Sequence, residues 1–182
     1  GNFTMTDATA NLTGTGALIA TIETSQGKIK CALTDDKAPI TVANFIGLAN
    51  GLRPFKHHLD GRWVKRPYYD GTTFHRVIKG FMIQGGDPKG NGTGDPGYEI
   101  KDEIWPGSKH DKAGLLCMAN RGPNTNSAQF FITDAPVSRL DGSYTIFGQC
   151  SPTNVVHTIA QSQKDMHDRP LTAVVVDRIT VA

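Results

Sequence analysis

Arg76 is the residue with the clearest capacity for chemistry in this sequence. It lies in Phe74-His75-Arg76-Val77-Ile78-Lys79-Gly80-Phe81-Met82-Ile83-Gln84. Strand alternation puts it on the face of Phe74 and Ile78. A guanidinium among apolar neighbours is costly unless something pairs with it. Two readings follow: a structural arginine bonded to backbone carbonyls, or a donor held for a ligand. After Gly80 the alternation restarts, and Met82 and Gln84 share a face. A second stretch, residues 118–132, opens with an amide-rich Asn/Gly/Pro loop and continues as a strand with Gln129 and Phe131 on one face. A third, Leu140-Asp141-Gly142-Ser143-Tyr144, is a D-G turn leading into another strand.

Other chemistries find little support. There is no G-x-S-x-G elbow, no H-E-x-x-H helix, and no cysteine in a nucleophile motif. Gly92-Thr93-Gly94-Asp95-Pro96-Gly97 matches G-x-G-x-x-G literally, but Pro96 interrupts it and no helix follows, so the dinucleotide reading is rejected. His57-His58-Leu59-Asp60 reads as a solvated loop in preference to a metal site. Cys31, Cys117 and Cys150 are odd in number and lack C-x-x-C spacing, so a disulfide framework and a zinc knuckle are both poor readings. Asn2, Asn11 and Asn91 begin N-x-T sequons, which matter only in a glycosylating host. Nineteen Lys+Arg against 17 Asp+Glu give +2, too weak a field to suggest nucleic acid or an anionic membrane as partner. No apolar run approaches the roughly 20 residues of a spanning helix.

The elements that must position these residues are mostly strands. The 182 residues, 38% hydrophobic and 20% charged, suit one domain with a buried core. Short β-rich runs lie at 18–24, 28–34, 73–78, 81–84, 115–119, 129–133, 145–148 and 173–181, with Gly/Pro/Asp/Asn punctuation between them. Ser25-Gln26-Gly27 reads as a hairpin turn. Such texture predicts a sandwich or a closed barrel. Helical spacing appears at 39–50 and at 153–162, the latter preceded by Ser151 as N-cap and Pro152 at the first helical position. Two such helices would cap the ends of a barrel. Residues 51–72 read as a long polar insertion and 85–111 as a Gly/Pro/charge-rich excursion. Residues 1–17 read as a flexible polar leader before a domain at 18–182. That leader and the missing initiator Met favour an exported, periplasmic-type protein over a cytoplasmic one, the alternative being an arbitrary sequence boundary.

Taken together, the three stretches resemble the cyclophilin family of peptidyl-prolyl cis–trans isomerases, in particular its bacterial-type members. FHRVIKGFMIQGGD matches nearly throughout, and MANRGPNTNSAQFFIT and LDGSYTIFG follow in the family's order. DDKAPITVANFIGLANG and DRPLTAVVVDRITV also fit, so the resemblance covers residues 18–181. It implies a mainly β fold, a closed eight-stranded antiparallel β-barrel capped by two α-helices. It implies rotation about Xaa–Pro bonds in unfolded or flexible proteins, assisting folding, with no cofactor and no metal. Arg76 stands at the family's catalytic arginine position, with Gln84 and Phe81 beside it in the catalytic set. Phe81, Met82, Phe131 and Leu140 would hold the pyrrolidine ring, and Tyr144 would wall the pocket. Gln84 would donate to the substrate carbonyl and help hold Arg76. Asn120 would meet the peptide through its backbone, and Ala119 and Gln129 would line the neighbouring subsite.

The same resemblance frames the departures. Arg121 stands where many members have alanine, adding a charge beside the groove. Arg139 replaces the tryptophan of the best-known eukaryotic members, which implies weak or no cyclosporin binding. Cys117 is expected to pack behind the site, and His75, facing away from Arg76, to be structural. Implied partners are proline-containing peptides and unfolded proteins, with no nucleic acid or membrane, bound by a monomer. The alternative is a non-catalytic proline-peptide binding module or chaperone on the same fold.

Overall fold

Alternating apolar and polar residues build the first hairpin. In the computed structural model, which describes residues 2–182, β1 (Ile19–Thr24) pairs antiparallel with β2 (Gly27–Leu33), and Ala20, Ile22, Ile29 and Cys31 point into the core. Gly27 adopts φ +130° where the turn enters β2, a conformation open to glycine. The remaining strands are β3 (Phe55–Lys56), β4 (Trp63–Val64), β5 (Arg76–Ile78), β6 (Met82–Gly85), β7 (Leu115–Met118), β8 (Phe130–Thr133), β9 (Ile146–Ser151) and β10 (Val176–Val181). Eight of them form one antiparallel sheet in the order β10-β1-β2-β9-β7-β8-β6-β5.

The sheet is a half-barrel and not the closed barrel expected. β10 and β5 end the order and do not pair with each other. The reason lies in the free edge of β5, which the 163–170 loop covers: the Val77 N–H donates to the Asp168 carbonyl (2.8 Å), and Lys164 Nζ donates to the Val77 carbonyl (2.9 Å). The chain ahead of β5, and not β5 itself, bonds to β10 and the residues before it, through an isolated bridge from Thr73 to Val175 and the Val176 N–H to Thr72 carbonyl bond of 2.7 Å.

Among the described residues three α-helices accompany the sheet where two were expected. The additional one, α1 (Met5–Ala8), falls in the stretch read as a flexible leader. Thr4 and Asp7 form a reciprocal capping box that starts it, Ala8 is fully buried, and Phe3 and Met5 pack against the core. The second helix, α2 (Pro39–Ala49), is buried along nearly its whole length. Its N-terminus is capped from a distance: Glu103 accepts from the Ile40 and Thr41 N–H groups at 3.2 and 2.6 Å, placing an anion at the positive end of the helix. In α3 (Thr153–Ala160) the cap position is Pro152, with no side-chain bond. Ser151, the expected cap, pairs with Lys30 as the last residue of β9. No helix is long and apolar enough to cross a membrane among the described residues.

Residues 51–72 are less polar in effect than their composition. They form the β3–β4 hairpin and then send Tyr68 and Tyr69 into the core. Tyr69 donates its hydroxyl proton to the Ala128 carbonyl at 2.8 Å, satisfying the one polar atom it buries. Phe45 of α2 sits against the rings of Tyr69, Phe130 and Phe147 at 5.3, 5.7 and 5.2 Å, joining helix to sheet.

The cysteine reading is also corrected. The β2–β9 register sets Cys31 opposite Cys150, and the two form a disulfide across 119 positions of sequence, leaving Cys117 free and buried. Their separation in sequence hides a pairing that only the ladder creates. Alkylation in denaturant without reductant is therefore expected to label one cysteine, Cys117, and with reductant all three of the chain. Intact mass spectrometry reads the difference, and three labels without reductant would refute the bridge.

Candidate active site

Four neighbouring strands put alternate residues on opposite faces of the sheet. Val77, Ile83, Ile132 and Leu116 lie across from one another on β5, β6, β8 and β7, and all are fully buried in the main core. The adjacent row, Arg76, Gln84, Phe131 and Cys117, therefore points to the other face. There Met82, Phe131, Cys117, Leu115 and Ile146 form a second apolar cluster, with Ile78, Phe81, Trp105, Ala119, Leu140 and Tyr144 packed on it. Phe74 does not share this face as expected. β5 begins at Arg76, and Phe74, ahead of the strand, belongs to the main core.

The cluster surrounds a hollow of about 190 Å³ lined by Arg76, Phe81, Met82, Gln84, Ala119, Asn120, Phe131, Leu140 and Tyr144. Nine of the site residues expected from sequence thus meet in one place. The other two, Arg121 and Gln129, border an adjoining groove of about 340 Å³, which shares Gln84, Ala119 and Asn120 with the hollow. Leu140 reaches the rim from a short 3-10 turn, Ser138–Leu140. Arg139 of the same turn lies with its guanidinium carbon 4.5 Å from the Phe81 ring centre. The Arg76 side chain has no hydrogen bond or ion pair among the described residues. Gln84 donates to Gln129 Oε1 at 3.0 Å and not toward Arg76, which corrects the expected pairing of those two.

The slot's aromatic wall is held from behind. Tyr144 meets Phe131 edge to face at 5.7 Å, and His110 stacks on Phe131 at 6.5 Å. Asp141 Oδ1 accepts from the His110 N–H at 2.7 Å and lies 2.9 Å from His110 Nδ1. These two bonds hold the Asp141 carboxyl below the usual carboxylate range. Asn120 uses its side chain on the loop, donating to the Ser143 carbonyl at 2.9 Å and accepting from the Gly122 N–H at 3.2 Å. Its own backbone N–H and carbonyl have no partner among the described residues, so they are available to a bound peptide. Cys117 lies behind Phe131, as expected, and burial pushes its thiol well up, which makes it an inert packing group.

Sequence reading gave no role to Asp87, His110 or Asp141. Asp87 is fully buried and gathers four backbone donors, Lys89, Asn91, Gly92 and Gly94, at 2.8, 3.1, 2.6 and 3.3 Å. A Cβ on Gly94 would lie 1.9 Å from Asp87 Oδ1, so only glycine fits there. The loop so folded turns the Gly92 and Gly94 carbonyls toward Gln129 Nε2, at 2.9 and 3.1 Å, and Gln129 in turn accepts from Gln84. The literal G-x-G-x-x-G match is thus a loop folded around a carboxylate. The Asp followed by closely spaced glycines was the legible signal. Among the described residues no three His, Cys, Asp or Glu side chains gather as a metal site.

Burial raises the Asp87 pKa, and the four N–H bonds outweigh it, leaving the carboxyl below its ordinary value. A carboxyl lowered on folding stabilises the fold above its unfolded pKa, and that stabilisation is lost as pH falls through the folded value. Asp87→Asn is expected to lower stability by about 1–3 kcal/mol at neutral pH. It should also raise KM, because Gln129 loses its fixed acceptors. Urea unfolding and steady-state kinetics check this; unchanged stability and KM would exclude Asp87 as the organiser of the loop.

The site is an apolar slot with a guanidinium at its rim on an antiparallel half-barrel, and comparison with known proteins gives its class. The family model for cyclophilin type peptidyl-prolyl cis-trans isomerases matches residues 19–181. Peptidyl-prolyl cis-trans isomerase A of Mycobacterium tuberculosis is 47% identical over 166 residues, covering 90% of this chain and 91% of that protein. Peptidyl-prolyl cis-trans isomerase B of Streptomyces anulatus is 47% identical over 168 residues, covering 90% and 96%. A crystal structure of a Cryptosporidium parvum cyclophilin type peptidyl-prolyl cis-trans isomerase superposes with a TM-score of 0.80 at 33% identity, covering 92% and 98%. A second, in the presence of the dipeptide Ala-Pro, gives 0.79 at 34%, covering 90% and 98%. The chain belongs to the cyclophilin family and is a peptidyl-prolyl cis–trans isomerase.

Proposed function

We propose that the hollow beside Arg76 holds the proline ring and that Arg76 is the donor that lowers the rotation barrier. The planar amide resists rotation by ~18–20 kcal/mol because the nitrogen lone pair is delocalised. Twisting the bond returns the lone pair to the proline nitrogen, which can then accept a hydrogen bond. A catalyst needs no nucleophile here; it must bind the twisted amide better than either planar form. Five decades of acceleration correspond to about 7 kcal/mol of such preference. One preorganised donor supplies roughly 3–4 kcal/mol. Fit to the slot and exclusion of water supply the rest.

The observation that carries this reading is the unpaired guanidinium at the rim of a ring-sized apolar slot. Arginine is always protonated and its fork is rigid, so the donor is charged and shaped for bonding before the peptide arrives. Phe81, Met82, Phe131 and Leu140 grip the pyrrolidine, and Tyr144 closes one wall. Gln84 has a second N–H, beyond the one given to Gln129, for the substrate carbonyl. Asn120 holds the peptide through its free backbone groups while the bond turns, and Ala119, Gln129 and Arg121 border the path of the flanking residues. The substrates are proline-containing segments of flexible or unfolded chains, bound by a monomer.

Arg76→Ala is expected to reduce kcat/KM on an Ala-Xaa-Pro-Phe peptide by about 10²–10³, the scale of one lost transition-state donor. Peptide binding should weaken far less. Equal activity in wild type and variant would remove Arg76 from the mechanism. Binding without catalysis in the wild type would favour the non-catalytic module.

Arg139 carries a second expectation. It places a flexible cation over Phe81 where the family resemblance implies tryptophan in the best-known eukaryotic members. Cyclosporin should inhibit weakly and Arg139→Trp should tighten it; nanomolar inhibition of the wild type in a titration would refute this.

A further inference from the structure

Arg76 also borders a second hollow, of about 390 Å³, that rotation of the Xaa–Pro bond does not use. Gln84 is shared with the proline slot, and His75, Asn91, Gly92, Asp165, His167 and Arg169 complete the wall. His75 was expected to face away from Arg76, yet both line this space.

The donors here outnumber the acceptors. Neither the Arg76 nor the Arg169 guanidinium has a partner among the described residues. The Asn91 carboxamide oxygen accepts from the Thr93 N–H and hydroxyl at 3.0 and 2.6 Å, which leaves its NH2 group without an acceptor. His75 is buried with neither ring nitrogen bonded, and burial lowers its pKa, so one nitrogen presents an N–H and the other a lone pair. Among the described residues the one carboxylate on the wall is Asp165, whose Oδ1 accepts from the His167 and Arg169 backbone N–H groups at 2.8 and 3.1 Å. The neighbouring Asp168 is paired with Lys164 at 2.8 Å. Two guanidiniums therefore face one carboxylate that is already bonded to its own loop.

We propose that this hollow is a specificity subsite for an acidic side chain of the substrate, within two residues of the proline. Arg169 and the Asn91 amide grip the carboxylate, and His167 adds a ring donor. The hollow meets the proline slot at Arg76 and Gln84, so its ligand belongs to the same peptide. The assignment rests on placing the proline beside Arg76.

The test uses the full chain and peptides differing only in Glu, Gln or Lys at each of the two positions on either side of proline. At one position Glu should be favoured over Gln in kcat/KM by about threefold to fivefold at low ionic strength, the scale of an exposed ion pair. Lys should be disfavoured, and the preference should fade in salt. Arg169→Gln should bring the Glu/Gln ratio to one. No Glu preference at any position, a preference for Lys, or a ratio that survives Arg169→Gln overturns the proposal. Titration calorimetry with the same peptides reads the preference as affinity, so the subsite is judged even if Arg76 proves not to be the catalytic donor.

Discussion

Everything at the site depends on the two-residue period of four strands held in register. Because β5, β6, β8 and β7 align row by row, a row of fully buried aliphatic residues anchors the sheet to the main core. The next row is then forced outward, bringing Arg76, Gln84, Phe131 and Cys117 together on one surface. A slip of one residue in β5 would bury the guanidinium and expose Val77. The core thus fixes the face that carries Arg76, and its large apolar area, including the aromatic group around Phe45, keeps the register from shifting.

Loops complete what the strands begin, and carboxylates, from fully buried Asp87 to exposed Asp141, organise them. Asp87 folds the 87–94 loop so that its carbonyls meet Gln129. Glu103 ties the same long excursion to the start of α2. Asp141 secures His110, which backs the aromatic wall of the slot. In each case a carboxylate satisfies backbone N–H groups that no ladder or helix reaches, which is why loops this irregular can be rigid enough to flank a binding site. Covering the free edge of β5 with the 163–170 loop serves the same end, and it brings Arg169 to the edge where Arg76 stands.

Local pattern made much of this legible. All eight strands of the sheet, α2 and α3 were readable because period-two alternation shows in runs of four or more residues and helical spacing in runs of about ten. α1 escaped notice because four residues are too few for periodicity, although its Thr-x-x-Asp cap was written in the sequence. The two-residue strands β3 and β4 are hidden for the same reason. Nine of eleven site residues share the slot because the motif stretches place them on strands and turns whose facing follows from alternation. Gln84 was expected to hold Arg76, yet it holds Gln129, because a choice between two amide partners depends on distances across strands.

The order of residues alone determined which side chains can face together and which chemistry is available: a fixed cation, amides and an apolar slot, with no nucleophile. Both follow from local covalent geometry, since neighbouring side chains on a strand must point to opposite faces. Tertiary structure alone decided what is far apart in sequence and near in space. The Cys31–Cys150 bridge, the Glu103 cap, the loop over the β5 edge that leaves the sheet a half-barrel, and the meeting of Arg76 with Arg169 all belong to that class. Each depends on where whole elements pack against one another, and no short window of sequence carries that information.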